Sequence, residues 1–418
     1  MRKKYQGTQV NQRLQNIDTL RGFALLGLPT MNMIVFALPF AAYLNPFALG
    51  ETSAMDHILF SFFYLFADQK FMGLFTLLFG TSMVLLSEKM QQAGRKAAGV
   101  HYIRSFWLLL IGFLHAWFIW EGDVLMFYAA AAFVLYPFKN LPNHFLLALS
   151  TILLTSAVYL TVHQDVSEET LGEAARQELM AVYSPSPEQI EQQSALLLGD
   201  YQDTVSSARS QFESDPSPQL KAAEIALGQM GVSVIVKILG MMCLGMWLFK
   251  SGIIQGHKST LFYRRLAIAG CLFGLTLSSI NLFWNYTQNW QIDAYFQYGM
   301  FIKEIGSILM TLGYLGLINL AIKVNWFARL KLWLTYVGQM ALTNYLMQSV
   351  ICAFIFYGYG LGLHGSLSRL ELIPIILGLW VTQIFLSVLW LSHCKQGPLE
   401  WLWRCLTYFK VAPLRKTN

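Results

Sequence analysis

The chain predicts an all-α, polytopic membrane protein, and three observations carry that prediction. Of its 418 residues 55% are hydrophobic and only 12% charged. The apolar residues fall in long runs rather than amphipathic stripes, and runs of about 20 residues are what roughly 30 Å of hydrocarbon requires of a helix. The cations alternate: with the N-terminus placed in the cytoplasm, 22 of the 29 Lys and Arg fall in inner segments, as positive-inside sorting demands. Helices rather than an open sheet follow because hydrocarbon offers backbone groups no partner. The net charge of +6 is explained by this sorting, so no nucleic-acid partner is implied.

Ten apolar segments are expected, at residues 22–44, 58–87, 103–120, 124–138, 145–162, 230–249, 266–287, 299–322, 332–357 and 372–391. The fourth is marginal in length. They form one membrane domain over residues 1–418, with an extracytoplasmic loop at 163–225, a tail at 392–418 and both termini inside. The basic start MRKKYQGTQVNQR resembles the head of a signal peptide, but the apolar run behind it is about twice as long as such a core. It reads as a retained first helix. Five scattered cysteines without a CxxC imply neither a disulfide framework nor a metal site.

The second segment is too long for one span and carries Asp68, Gln69 and Lys70 in its middle. A short interfacial helix over 57–66 leading into a span from Phe71 accounts for it. Asp68 and Lys70 then either sit near a functional site or form a local ion pair with Lys70 snorkelling. The loop at 163–225 is acidic, and Ser186-Pro187-Glu188-Gln189 has the pattern of a helix start with a capping box; Ser217-Pro218 repeats the signal. A small helical cap is one reading and a solvated spacer the other. The loop divides the helices five and five, an arrangement seen in inverted-repeat transporters, although the halves share no sequence similarity.

The stretch RSFWLLLIGFLHAWFIWEGDVLMFYAAAAFVLY, residues 104–136, reads as two helices joined by Glu121-Gly122-Asp123. An ionisable side chain within a membrane helix is a functional candidate, and His115 lies about 8 Å below the expected outer end. Its imidazole suits a general base; a histidine bonded to a neighbouring helix is the plainer account. Asp123 either orients that ring or caps the following helix. At the inner end of the first helix, Asp18 and Arg21 stand three apart. Asp18 as N-cap with a snorkelling Arg21 suffices structurally, while an Arg21 contacting a donor's phosphates is the functional account. Lys237, mid-way along the sixth segment, needs a partner or water. Glu304, Ser307, Thr311 and Tyr314 make one helical stripe, and Asn344 lies on another; such stripes commonly join helices. No HExxH, GxSxG, GxGxxG or P-loop occurs.

Four stretches, RLQNIDTLRGFALLGLPTMN, DQKFMGLFTLLFG, LIGFLHAWFIWEGDVLMFYA and VGQMALTNYLMQS with GPLEWLWRCLTY, together resemble the YeiB-like family of bacterial membrane proteins. The Asp-x-x-Arg-Gly start is in turn similar to a transmembrane acyltransferase superfamily that includes heparan-alpha-glucosaminide N-acetyltransferase. That resemblance implies transfer of an acyl group, usually acetyl from cytoplasmic acetyl-CoA, to an extracytoplasmic or membrane-embedded acceptor such as a glycan, in a bacterial inner membrane. It places Asp18, Arg21 and Gly22 at the shared start, and His115 and Asp123 in the hairpin. The heparan enzyme's active histidine falls soon after its first helix; here that segment offers His57 in different surroundings. The expected function is an acyltransferase using His115 and Asp123, with Asp18, Arg21, Asp68, Lys70, Lys237, Glu304 and Asn344 as binding residues. A transporter or lipid-handling protein is the alternative. Lipids and a glycan or lipid-linked acceptor are the expected partners, and the reading leaves room for a homo-oligomer.

Overall fold

The computed structural model describes the backbone of residues 2–50, 52–162, 166–210 and 218–416, and side chains within these except at 2–14 and 207–230. Nearly everything described is helical; one isolated antiparallel bridge joins Cys394 to Arg415. The first half runs through α1 (Arg2–Gly27), α2 (Pro29–Ala37), α3 (Ala41–Leu44), α4 (Ala54–Phe66), α5 (Lys70–Gln92), α6 (Ala97–Phe118), α7 (Leu125–Leu135) and α8 (Asn143–Val162). Four short helices follow: α9 (Glu168–Leu171), α10 (Glu173–Tyr183), α11 (Pro187–Leu198) and α12 (Tyr201–Ser210). The second half holds α13 (Pro218–Lys250), α14 (Thr260–Thr287), α15 (Ile292–Ala294), α16 (Met300–Lys323), α17 (Ala328–Gln339), α18 (Ala341–Phe356), α19 (Arg369–His393) and α20 (Pro398–Tyr408).

Among the described residues eight stretches are long and apolar enough to cross a membrane, and α17 with α18, bent by 83°, makes a ninth if the pair is one broken span. The expected span at 124–138 is the difference. Its α-helix stops after 11 residues and continues only as a 3-10 turn over Tyr136–Asn140, because Pro137 has no N–H to give to the preceding turn. The long second segment divides as its composition implies. Ser53 caps α4 by accepting from the Asp56 amide, and α5 begins after Gln69, whose φ of 64° turns the chain.

Helices in lipid associate through close packing rather than the hydrophobic effect, and small residues permit it. Gly270 and Gly274 of α14 lie against the backbone of Gly313 and Gly306 of α16. Gly22 of α1 and Gly338 of α17 cross so closely that a Cβ on either would stand 1.9 Å from a carbonyl oxygen of the other helix. A buried apolar core gathers Leu20, Leu74, Leu77, Tyr128, Met242 and Met246, tying α1, α5, α7 and α13 together. A second joins α2, α18 and α19 through Ile34, Phe36, Phe356 and Leu379.

The loop between the halves is a helical cap. Ser186 and Gln189 form the expected capping box at the start of α11; Ser217 lies outside the described residues. The cap is fastened down by paired bonds of 2.7 Å from Arg176 to Asp293, by Tyr183 Oη to the Trp290 carbonyl at 3.0 Å, and by Tyr201 Oη to the Phe118 carbonyl at 3.0 Å. The face that carries it is called outer below.

Candidate functional site

His115 and Asp123 meet across the turn between α6 and α7. The ring sits in the last turn of α6, nearer the outer end than expected, and Asp123 lies just ahead of α7. The approach depends on Gly112, where a Cβ would stand 2.6 Å from the Met126 amide and 3.0 Å from Asp123 Oδ2. His115 is 2% and Asp123 3% exposed, and Nδ1 of His115 stands 2.9 Å from Asp123 Oδ1. An ionised carboxylate only accepts, so Nδ1 carries the proton and Nε2 of the neutral ring is left bare. That Nε2 is buried and, among the described residues, has no hydrogen-bond partner. Asp123 is itself held by two further donors: Tyr345 Oη to Oδ1 at 3.1 Å and the Met126 amide to Oδ2 at 2.8 Å. The two readings of Asp123 are therefore realised together, since it orients the ring and caps α7.

Two cavities flank this pair. The inner one, of about 400 Å³, runs from Asp18, Arg21, Lys89, Arg104 and Glu400 up to Val124, Leu125 and Tyr345. Its walls between are largely apolar, with Phe75, Phe79, Leu86 and Leu108. The outer one is small, about 20 Å³, and is lined by Trp117, Trp120, Glu121, Tyr201, Tyr357 and Tyr359. His115 borders neither directly; its ring lies 5.4 Å from that of Tyr345, in the inner wall, and 6.4 Å from that of Trp120, in the outer.

At the inner rim Asp18 and Arg21 pair at 3.0 Å, and Arg21 also donates to Ser82 Oγ at 3.2 Å and the Gly338 carbonyl at 3.4 Å. Asp18 is not an N-cap, because α1 begins well before it, and Arg21 points inward to the α17 crossing rather than snorkelling. Glu400 of α20 reaches the start of α18, where it accepts from the amides of Leu342 (2.6 Å) and Thr343 (3.1 Å) and from Thr343 Oγ1 (2.6 Å). A carboxylate at a helix N-terminus complements its dipole. Burial nonetheless pushes the Glu400 carboxyl above its ordinary value, against the hydrogen bonds from Thr343 and Leu342 that pull it down.

The remaining expected residues gather elsewhere. Asp68 pairs with Lys303 at 2.7 Å and accepts from Tyr43 Oη at 2.6 Å, while Lys237 pairs with Glu304 and donates to Gln69 Oε1 at 3.1 Å. Lys70 neither snorkels nor pairs with Asp68. It is 0% exposed and donates to the Tyr64 carbonyl at 2.6 Å, a group freed by the break between α4 and α5. Thr311 and Tyr314 serve the carbonyls of Lys70 and Phe66 in the same way. This cluster joins the halves of the chain, away from the hairpin. Asn344 holds Ser387 Oγ at 2.9 Å and the Val337 carbonyl at 3.1 Å, joining α18 to α19. His57 has both ring nitrogens engaged, with Thr52 at 3.1 Å and Tyr286 at 3.2 Å.

The comparisons agree with the pattern of residues. Residues 248–410 match the family model described as "Protein of unknown function (DUF418)". Over 97% of its length the chain is 29% identical to the whole of the uncharacterized protein YeiB of Escherichia coli (strain K12). Over 98% of both chains it is 29% identical to the uncharacterized protein YxaH of Bacillus subtilis (strain 168). Along nearly its whole length the chain is similar to these YeiB-like proteins. An uncharacterized 39.9 kDa protein from Bacillus acidopullulyticus is similar at 24% identity, over 97% of this chain and 96% of its own. The DUF418 segment supplies α17, α18 and α20, and so Tyr345, Glu400 and Trp403, while His115, Asp123, Asp18 and Arg21 lie before it. Tyr345, Glu400 and Arg104 were not singled out from the sequence. Tyr345 stands beside Asn344 in a polar stripe, which is the one signal that marked it.

Proposed function

We propose that this YeiB-like protein is an acyltransferase of the bacterial inner membrane, moving an acyl group, acetyl in the simplest case, from a cytoplasmic acyl-CoA to an acceptor on the outer side. The observation that carries the reading is a buried His115 whose Nδ1 is fixed on Asp123 and whose Nε2 is bare, set between a cation-rimmed inner cavity and an aromatic outer pocket. From Arg104 to His115 is eleven residues of α6, about 16 Å at 1.5 Å per residue. That distance suits a phosphate-bearing head at the rim and a thioester at the end of a slender arm.

In the proposed step Nε2 takes the proton from the acceptor's hydroxyl or amine as that atom attacks the thioester carbonyl. The C–S bond then breaks, and the imidazolium returns the proton to the departing thiolate, leaving acylated acceptor and free thiol. Asp123 stabilises the imidazolium between the two transfers. The step requires donor and acceptor to meet at that one nitrogen, and holding them there supplies the proximity on which such reactions depend. The aromatic and carboxylate lining of the outer pocket favours a ring-shaped, hydroxylated acceptor such as a glycan.

The test is release of free thiol from acetyl-CoA by purified protein in its native lipids, with and without an envelope-glycan extract. Acceptor-dependent release that His115→Gln abolishes supports the reading; no release with any acyl-CoA refutes it. A transporter is the second reading, favoured by the buried Asp68–Lys303 and Lys237–Glu304 pairs at a broken helix. It predicts solute movement across proteoliposomes that survives His115→Gln and is lost in Lys237→Met.

A further inference from the structure

The two arginines at the inner rim are not equivalent. Arg21 is committed: its guanidinium is held by Asp18, Ser82 and the Gly338 carbonyl, which fixes α1 on α5 and α17. Arg104 also lines the cavity, but among the described residues its guanidinium has no hydrogen-bond or ion-pair partner. Neither carboxylate of the rim reaches it, since Asp18 pairs with Arg21 and Glu400 caps α18. What holds Arg104 is Trp403 of α20. The guanidinium carbon lies 3.6 Å from the centre of the indole ring, and the Trp403 Nε1 donates to the Arg104 carbonyl at 2.9 Å. Stacking fixes the plane of a guanidinium through its face and leaves all the N–H donors at its edge available. A flat, pre-oriented fork is the arrangement that binds phosphate oxygens two at a time.

We propose that Arg104, clamped by Trp403, and not Arg21, holds the anionic end of the inner-cavity ligand, and that this ligand is a phosphate-bearing molecule with a narrow, uncharged arm. The proposal rests on reading this cavity as the donor site. The apolar walls formed by Phe75, Phe79, Leu86, Leu108 and Leu125 suit the arm and exclude a compact, fully hydrated anion. The phosphate belongs either to a nucleotide-bearing thioester or to a phospholipid head group.

Binding of three probes to the full-length protein in a non-ionic detergent separates these cases: coenzyme A, pantetheine, which has the arm without phosphate, and a short-chain phosphatidylglycerol. Coenzyme A is expected to bind the wild type at least about tenfold more tightly than pantetheine. Arg104→Gln is expected to remove that advantage and leave pantetheine unchanged. Arg21→Gln is expected to lower the melting temperature without ligand yet change the coenzyme A affinity by less than about threefold. Should Arg104→Gln not fold, Arg104→Lys keeps the charge, loses the paired donors and is expected to weaken coenzyme A in the same direction. Undiminished coenzyme A binding in the Arg104 variants overturns the proposal and leaves the transferase reading standing. Binding of phosphatidylglycerol alone, dependent on Arg104, keeps the proposal and removes acyl-CoA as donor. Binding of neither probe in an Arg104-dependent way overturns the proposal.

Discussion

Asp123→Asn is the sharpest perturbation of the hairpin, because it keeps shape and changes only which atoms can accept. In the wild type both carboxylate oxygens accept: Oδ1 from His115 Nδ1 and Tyr345 Oη, and Oδ2 from the Met126 amide. An asparagine has one carbonyl oxygen. Keeping it on the buried Met126 amide places the NH2 opposite His115, which must then accept at Nδ1 and carry its proton on Nε2. The bare nitrogen is thereby converted into a donor. A wrong tautomer in a comparable triad lowers turnover by about 10⁴, or roughly 5 kcal/mol of transition-state stabilisation. The loss in stability is smaller, about 1–3 kcal/mol for exchanging charge-assisted bonds for neutral ones. Two assays bear on it: thiol release from acetyl-CoA, and ¹⁵N spectra of histidine-labelled protein, where the protonated nitrogen is expected to change from Nδ1 to Nε2. A variant that shows the Nε2–H tautomer and still turns over at the wild-type rate refutes the role given to His115.

Other outcomes follow from the packing. Gly338→Ala places a methyl group 1.9 Å from the Asp18 carbonyl oxygen; backbone cannot yield as a side chain does, so a loss of about 3 kcal/mol is expected, and an unchanged melting temperature would show that α1 and α17 do not cross here. Lys303→Met leaves the buried Asp68 its hydrogen bond from Tyr43 but takes away its ion pair and is expected to cost about 3–5 kcal/mol, whereas Asp68→Leu combined with Lys303→Met is expected to recover most of that; unfolding of the single and double variants in detergent decides it. Glu400→Gln tests a pH effect. The carboxyl holds its proton more tightly folded than unfolded, so its contribution is fully present below the ordinary value of 4.5 and is lost as pH rises through the higher folded value. Relative to wild type the Gln variant is therefore expected to gain stability with rising pH over that window, and a constant difference between the two melting curves counts against it.

How much of this was legible in the sequence depended on how far apart the partners lie. His115 and Asp123 are eight residues apart across a polar turn, and Asp18 and Arg21 share a helical face, so local geometry alone brought each pair together. The Ser186 capping box is equally local. The stripe of Glu304, Thr311 and Tyr314 marked the face of α16 that meets α4 and α5, but not what it meets. Asp68 has a neighbour of opposite charge at Lys70, and the sequence offered that pair as one of two readings; the fold instead gives Asp68 to Lys303, while the break at Gln69 leaves a bare carbonyl at Tyr64 that Lys70 serves. A charge beside a broken helix has two competing obligations, to the opposite charge and to the backbone, and only tertiary structure shows which is met. Glu400 makes the same point from the other end of the chain. Nothing near it in the sequence marks it, yet the 83° bend before α18 exposes the Leu342 and Thr343 amides, and Glu400 accepts from both. The breaks at Gln69 and between α17 and α18 thus explain most of what the sequence left open. The first gathers the charges that join the two halves, and the second carries Tyr345 to Asp123. The His115–Asp123 pair and the charged joint are in this way built around separate breaks in the chain, so a variant that weakens the joint should lower stability without changing the tautomer of His115.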